Sequence, residues 1–231
     1  MSKPTADEFV ACAEYFIGYL EKASDAYCDS PAVEYFDKNA GSNNYTYFGK
    51  MCGINPGAWC AMFVTVCMLR ACGGDKSLAK EMLCGVYPYT ACNQLYDAGG
   101  SRSFRRGAKD PARGDVIVFT SGGQRTHTGI VYKVEGAYVY TVEGNSSNQV
   151  RRRSYKQTDT YIYGYIRPDF DGAGSGSETL TPHYDRRCTV TMPELSKGTA
   201  GVAVTLLQFA LIQLGTYTVV VDGIFGPETK K

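Results

Sequence analysis

The chain has 231 residues, of which 44% are hydrophobic and 20% charged, and this is the composition of a soluble globular protein rather than a disordered one. Its formal net charge of +1 argues against nucleic acid as a partner, because phosphate-binding proteins usually carry a strong basic excess. No apolar run reaches the roughly 18 residues of a membrane-spanning helix, so a membrane is not an expected partner either.

The N-terminus and the cysteines predict a protein of the reducing cytoplasm. The first residues, MSKPTADEFVACAEYF, lack the basic segment and continuous apolar stretch of a secretory signal. Nine cysteines in a long chain do not resemble a secreted disulfide framework. There is no C-x-x-C pair, and His127 and His183 lie far from any pair of cysteines. We therefore expect free thiols, no metal and no cofactor.

Helical patterns dominate the first hundred residues. Thr5 and Glu8 have the spacing of a capping box at the start of a helix. The apolar residues that follow this start lie on one helical face, namely Val10, Ala13, Ile17 and Leu20. A second helix is predicted over 59–72, before a Gly-Gly pair, and a third over 88–98, before another.

Patterns typical of β-strands follow the predicted helices, and together the two kinds of pattern predict the fold class. Five runs rich in β-branched and aromatic residues are separated by Gly, Asn and Ser, at 115–119, 127–134, 137–144, 149–155 and 162–168. Helices followed by antiparallel strands predict an α+β fold in which the helices pack on one face of the sheet. We expect a catalytic domain over 1–170, a Gly/Ser-rich linker over 171–190 and a small helical module over 191–231.

Cys60 is the first candidate for chemistry. Pro56 and Gly57 break the chain just before it, which places it in the first turn of the second helix. Unpaired N–H groups and the positive end of the helix dipole favour a thiolate there, and the same N–H groups suit a developing oxyanion. The alternative is that Cys60 is a small buried thiol, the interpretation that we give to Cys67 on the same helical face.

His127 is the second candidate, because a hairpin brings acidic and polar groups near it. A three-residue loop over 134–136, with Gly136 left-handed, pairs Lys133 with Ala137 and sets His127 opposite Glu143. Asn145 then faces the same way. A two-residue loop would put Glu143 on the other face of the sheet, unless a bulge restores the phase.

These residue types suit nucleophilic catalysis. One imidazole can take the proton of a thiol and return it to a leaving amine, and Glu143 or Asn145 can orient that imidazole. The alternatives are an ordinary surface histidine and a free surface carboxylate. The basic run 151–153 is interpreted as a solvated strand segment rather than a site for anionic polymers.

Four segments together resemble the CHAP domain of bacterial and phage cell-wall hydrolases, a papain-like α+β family: AWCAMFV (58–64), GDVIVF (114–119), THTGIVYKVEG (126–136) and YTVEGNSS (140–147). The resemblance implies Cys60 as nucleophile, His127 as base, Glu143 as orienting acid and Asn145 as a fourth polar member. Trp59 is a candidate substrate contact. The calcium loop that some family members carry ahead of the nucleophile has no counterpart here, so no metal is implied.

The resemblance also implies a substrate and a setting. CHAP domains cleave peptidoglycan as N-acetylmuramoyl-L-alanine amidases or as peptide endopeptidases. The stretch GSNNYTYFGKMCG (41–53) resembles lysins that act on Firmicutes. We expect a phage endolysin that stays in the cytoplasm of the producing cell, is released to the wall without a signal peptide, and is a monomer. The alternatives are a non-catalytic wall-binding protein and a cysteine acyltransferase or transpeptidase.

The C-terminal segment resembles a second family. Residues 195–229 are similar to the first two thirds of a small helical peptidoglycan-binding module, and VDGIFGP fits its pattern. The last helix of that module has no counterpart before Lys231, so the module is expected to be partial.

Overall fold

The computed structural model describes residues 2–172, which form helices followed by an antiparallel sheet. The helices are α1 (Ala6–Tyr15), α2 (Tyr47–Cys52), α3 (Cys60–Ala71), α4 (Lys76–Met82) and α5 (Gln94–Ala98). The strands are β1 (Ser103–Arg105), β2 (Val116–Ser121), β3 (Gln124–Glu135), β4 (Tyr138–Glu143), β5 (Arg151–Lys156) and β6 (Ile162–Ile166). Within this range, no helix is long and apolar enough to cross a membrane.

The sheet has six strands in the order β1-β6-β2-β3-β4-β5, with antiparallel neighbours throughout. Its two faces carry separate apolar clusters, because side chains alternate along each strand. The larger cluster joins one face to the helices, and the smaller covers the other face with Ile117, Phe119 and Val139 among its members. The predicted α+β class, with helices packed on an antiparallel sheet, is confirmed.

Helix α3 is the central helix. Its residues from Cys60 to Leu69 are all buried, which is the pattern of a helix surrounded by other elements. It packs against α1 and against β3. Helix α1 begins with the predicted capping box, in which Thr5 and Glu8 satisfy each other's backbone N–H groups. The sheet therefore holds the start of α3 at a fixed place beside the β3–β4 hairpin.

The register of the β3–β4 hairpin differs from the prediction. The loop has two residues, Gly136 and Ala137, because Glu135 pairs with Tyr138. Gly136 is left-handed as predicted, with φ 53°. A bulge at Tyr132 then shifts the register by one residue, so that Ile130 pairs with Val142. The bulge returns Glu143 to the face of His127, although the two residues are not directly opposite.

Other predicted boundaries also change. The third predicted helix is confined to Gln94–Ala98, and the first ends at Tyr15, before Ile17 and Leu20. The short helices α2 and α4 and the short strand β1 were not predicted. The predicted linker lies almost entirely, and the C-terminal module wholly, outside the described residues, so both stay predictions.

Candidate active site

Cys60 is the first residue of α3, at the junction of helix and sheet. Trp59 is the N-cap residue and its side chain makes no capping hydrogen bond. Gly144, after β4, fixes the junction, because a Cβ there would collide with Phe63. The Cys60 sulfur therefore lies where the N–H groups of the first helical turn point.

The surroundings of Cys60 favour its thiolate. A hydrogen bond with Cys92, whose Sγ lies 3.6 Å from that of Cys60, contributes most to holding the Cys60 pKa well below its ordinary value. His127 and the backbone N–H of Ala61 lower the pKa further, and together these contacts outweigh burial, which raises it. Burial raises the pKa of Cys67 on the same helix. Of these two thiols of α3, Cys60 is therefore the one whose surroundings favour a thiolate.

His127 lies on β3, where it pairs with Phe119 and stacks on its ring at a centroid distance of 5.6 Å. Its Nε2 is 2.9 Å from Oε2 of Glu143, so Nδ1 takes no part in that contact. Burial lowers the imidazole pKa, but the hydrogen bonds with Cys60 and Glu143 more than offset this and raise the pKa to about 9. These contacts therefore favour a Cys60 thiolate paired with a His127 imidazolium.

Glu143 is buried at the end of β4, with a relative exposure of 1%. Its other oxygen, Oε1, accepts hydrogen bonds from the hydroxyls of Tyr155, at 2.9 Å, and Thr141. Gly129 on β3 leaves the space that this carboxylate needs, since a Cβ there would lie 2.6 Å from Glu143 Cγ. These contacts hold the carboxylate beside the imidazole, in a position from which it can orient the ring.

A cleft of about 600 Å³ opens beside these residues. His127, Glu143 and Asn145 line it, so the predicted polar members of the site share one wall. Glu143, rather than Asn145, is the hydrogen-bond partner of His127. Arg153 also lines the cleft, with Nε 3.0 Å from Ser146 Oγ. Within the segment 151–153, predicted to be solvated, Arg152 is exposed, whereas Arg153 is half-buried at the cleft.

Trp59 does not occupy the place expected of a substrate contact. Its side chain is fully buried, stacks on Phe48 with 5.3 Å between ring centroids, and donates a hydrogen bond from Nε1 to Glu21 at 2.8 Å. A side chain with no exposed surface cannot contact substrate in this conformation. The expectation for Trp59 is thus corrected, and the residue anchors the start of α3.

The sequence did not predict three neighbours of the site, namely Cys92, Thr141 and Tyr155. The positions of Thr141 and Tyr155 can be derived once β4 and β5 are paired. Side chains alternate between the two faces of a sheet along each strand, and both residues lie on the face of Glu143. Cys92 has no such signal, since it lies in a turn before α5 and is one of many cysteines. Among residues 2–172, no group of three or more His, Cys, Asp or Glu side chains is arranged to hold a metal ion.

Replacing Tyr155 by phenylalanine should lower kcat by about tenfold while the fold is kept, because Glu143 loses one of the two donors to Oε1. The measurement is the rate of fragment release from purified cell walls, with circular dichroism as a check on folding. Tyr138→Phe is the control, since Tyr138 is 40% exposed on the adjacent strand. Equal rates for both variants would show that the Tyr155 hydroxyl does not position Glu143.

The comparison with protein-family models supports the sequence resemblance. The family model of the CHAP domain matches residues 53–145, a range that includes Cys60, His127, Glu143 and Asn145. A search of curated proteins finds no match. A solved structure titled "The crystal structure of Ly7917" is similar over 71% of this chain, at 15% identity and a TM-score of 0.42. The chain spans 62% of the length of that protein.

CHAP domains are generally cysteine- and histidine-dependent hydrolases of peptidoglycan. The residue types that this dependence requires meet at the start of α3 and on β3. Residues 53–145 of the chain therefore form a CHAP domain.

Proposed function

We propose that the chain cleaves an amide bond of peptidoglycan through a thioester on Cys60. The observation that supports this most strongly is the 2.9 Å contact between His127 Nε2 and the buried Glu143 carboxylate, together with surroundings of Cys60, His127 among them, that lower its pKa. In this proposal Cys60 is the nucleophile, His127 the acid and base, and Glu143 the orienting group, while Asn145 is a polar group of the cleft wall.

The reaction has two halves. The Cys60 thiolate attacks the amide carbonyl, and the N–H groups at the start of α3 stabilise the oxyanion. The imidazolium of His127 then gives its proton to the leaving amine, and the C–N bond breaks to leave a thioester. Neutral His127 next takes a proton from a water molecule, whose oxygen attacks the thioester and restores the thiolate.

The polar cleft suits the peptide part of peptidoglycan, which carries carboxylates. The Arg153 guanidinium is a cationic group on the cleft wall and is held by Ser146 and Ser147. An arginine in this position favours a carboxylate of the substrate, because the guanidinium donates paired hydrogen bonds. This arrangement is compatible with an N-acetylmuramoyl-L-alanine amidase and with an endopeptidase. We further propose a phage endolysin of a Gram-positive host, supported by the resemblance of residues 41–53 to lysins of Firmicutes.

Mass spectrometry of digested walls tests the bond specificity. An amidase releases intact stem peptides with a free alanine amine and leaves glycan without peptide, whereas an endopeptidase leaves peptide stubs on the muramic acid. Products in which an added amine replaces water would instead indicate a transpeptidase. If none of these products is released from the walls of several Gram-positive species, peptidoglycan cleavage is contradicted.

The activity should depend on pH with a loss above about pH 9. The reactive form needs the Cys60 thiolate and the His127 imidazolium, and the second is lost as the pH rises through the His127 pKa of about 9. On the acid side, activity is lost only when the pH falls below the lowered pKa of Cys60. The measurement is kcat/KM on a soluble muropeptide as a function of pH. A rate that keeps rising beyond pH 9 would contradict the ion pair.

A further inference from the structure

The catalytic cycle does not consume the Cys92 thiol, yet this thiol lies beside the nucleophile. The two sulfur atoms are 3.6 Å apart. A disulfide has an S–S distance of about 2.05 Å, so closure needs an approach of only about 1.5 Å. We propose that Cys60 and Cys92 form a reversible disulfide when the protein meets hydrogen peroxide, with Cys92 as the resolving thiol that protects the nucleophile.

The positions of the two residues permit this closure. Cys60 is fixed in the first turn of a buried helix, whereas Cys92 lies in a turn between Tyr89 and α5 and is partly exposed. Tyr89 is anchored by two hydrogen bonds with Thr65 Oγ1, at 2.7 and 2.9 Å. Cys92 is three residues beyond that anchor and outside any helix or strand, so the Cys92 side of the pair is the one that moves.

The chemistry divides the roles between the thiols. The Cys60 thiolate attacks one oxygen of peroxide, and with one proton this gives a sulfenic acid and water. Cys92 then attacks the sulfenic sulfur, and its proton leaves with the hydroxyl group as a second water. Two thiols are thereby oxidised and one peroxide is reduced to two waters. The hydrogen bond with Cys60 raises the Cys92 pKa, which keeps Cys92 protonated until Cys60 has reacted.

The disulfide would block the proposed hydrolysis because Cys60 no longer has a thiolate. A dithiol reductant should reduce the disulfide and so restore the Cys60 thiolate. Without a resolving thiol, further peroxide takes the Cys60 sulfenic acid to a sulfinic acid, which reductants do not reverse. Cys92 thus determines whether oxidation of the site is reversible. Formation of the bond itself does not depend on the substrate, so it can be tested even if peptidoglycan is not cleaved.

The test compares wild type, Cys92→Ser and Cys84→Ala after peroxide treatment. Serine can still donate a hydrogen bond to Cys60 but cannot form a disulfide, and Cys84 is another partly buried cysteine. Each protein is alkylated and digested, and the peptides are identified by mass spectrometry before and after dithiothreitol. We expect a Cys60–Cys92 cross-link, removed by dithiothreitol, in wild type and Cys84→Ala.

In Cys92→Ser we expect sulfinic acid on Cys60 and no recovery of an alkylatable Cys60 thiol. Sulfinic acid on Cys60 of the wild type without a cross-link would overturn the proposal. Equal recovery of the Cys60 thiol in wild type and Cys92→Ser would overturn it as well. If the reduced protein fails to hydrolyse walls although the cross-link still forms on oxidation, the result counts against the proposed function alone.

Discussion

Replacing Cys60 by alanine should reduce the release of soluble fragments from purified Gram-positive walls by about a thousandfold or more. The reason is that the substitution removes the atom that forms the thioester, and His127 cannot replace it from its position on β3. The fold should remain, because Cys60 is the first residue of α3 and its side chain is small. The measurement is the initial rate at fixed protein concentration, with the melting temperature recorded for each variant.

Cys67→Ala is the matched control for this prediction. Cys67 is one of the completely buried residues of the same helix and packs in the larger apolar cluster. Its replacement should cost about 1 kcal/mol of stability and leave the rate within about twofold at temperatures well below melting. Equal loss of rate in Cys60→Ala and Cys67→Ala, with equal stability, would mean that Cys60 is a packing residue only.

Replacing His127 by alanine should reduce the rate of wall hydrolysis by a similar factor. The imidazolium has two roles in the proposed reaction, and two separate measurements can distinguish them. The imidazolium stabilises the Cys60 thiolate, and it also supplies the proton for the leaving amine. The variant should therefore lose wall hydrolysis by about a thousandfold or more. It should also shift the pH dependence of Cys60 alkylation by iodoacetamide to higher pH, which reports the thiol without any substrate.

Gln124→Ala is a suitable control, since Gln124 is at the exposed start of the same strand. It should match the wild type in both measurements. If His127→Ala loses hydrolysis while the alkylation profile of Cys60 stays where it is, the imidazole acts on the leaving amine without forming an ion pair with the thiol.

Local patterns in the sequence are sufficient to predict the main elements. The capping box at Thr5 and Glu8 and the strand at β2 depend on neighbours in the chain, and both were predicted within a residue or two. The position of Cys60 at a helix start was also predictable, because Pro56 and Gly57 interrupt the chain just before it. Each of these features is determined by residues that are close together in the sequence, within a single turn or strand.

The hairpin shows where this reasoning stops. Predicting that Glu143 shares a face with His127 was right, but the pairing on which it depended was wrong. The loop is one residue shorter, and the bulge at Tyr132 compensates. A bulge depends on packing against β2 and α3 as well as on local sequence, so its position could not be derived from the turn alone.

Contacts between distant segments were the least predictable. Cys60 and Cys92 are 32 positions apart in the sequence, and nothing in that sequence indicates that their sulfur atoms meet. Trp59 illustrates the same limit, because its neighbour Cys60 is at the site while its own indole ring turns inward to Glu21. The direction of a side chain at a helix terminus depends on tertiary packing, so it could not be predicted from local sequence patterns.

Trapping the acyl-enzyme tests the central claim most directly. Wild-type protein mixed with a soluble muropeptide is quenched with acid within one turnover, and the intact protein and its peptides are analysed by mass spectrometry. The account predicts an added mass equal to the acyl fragment of the substrate, located on Cys60 and absent from Cys60→Ala. Hydrolysis by Cys60→Ala at the wild-type rate, with no adduct on the wild-type protein, would contradict it.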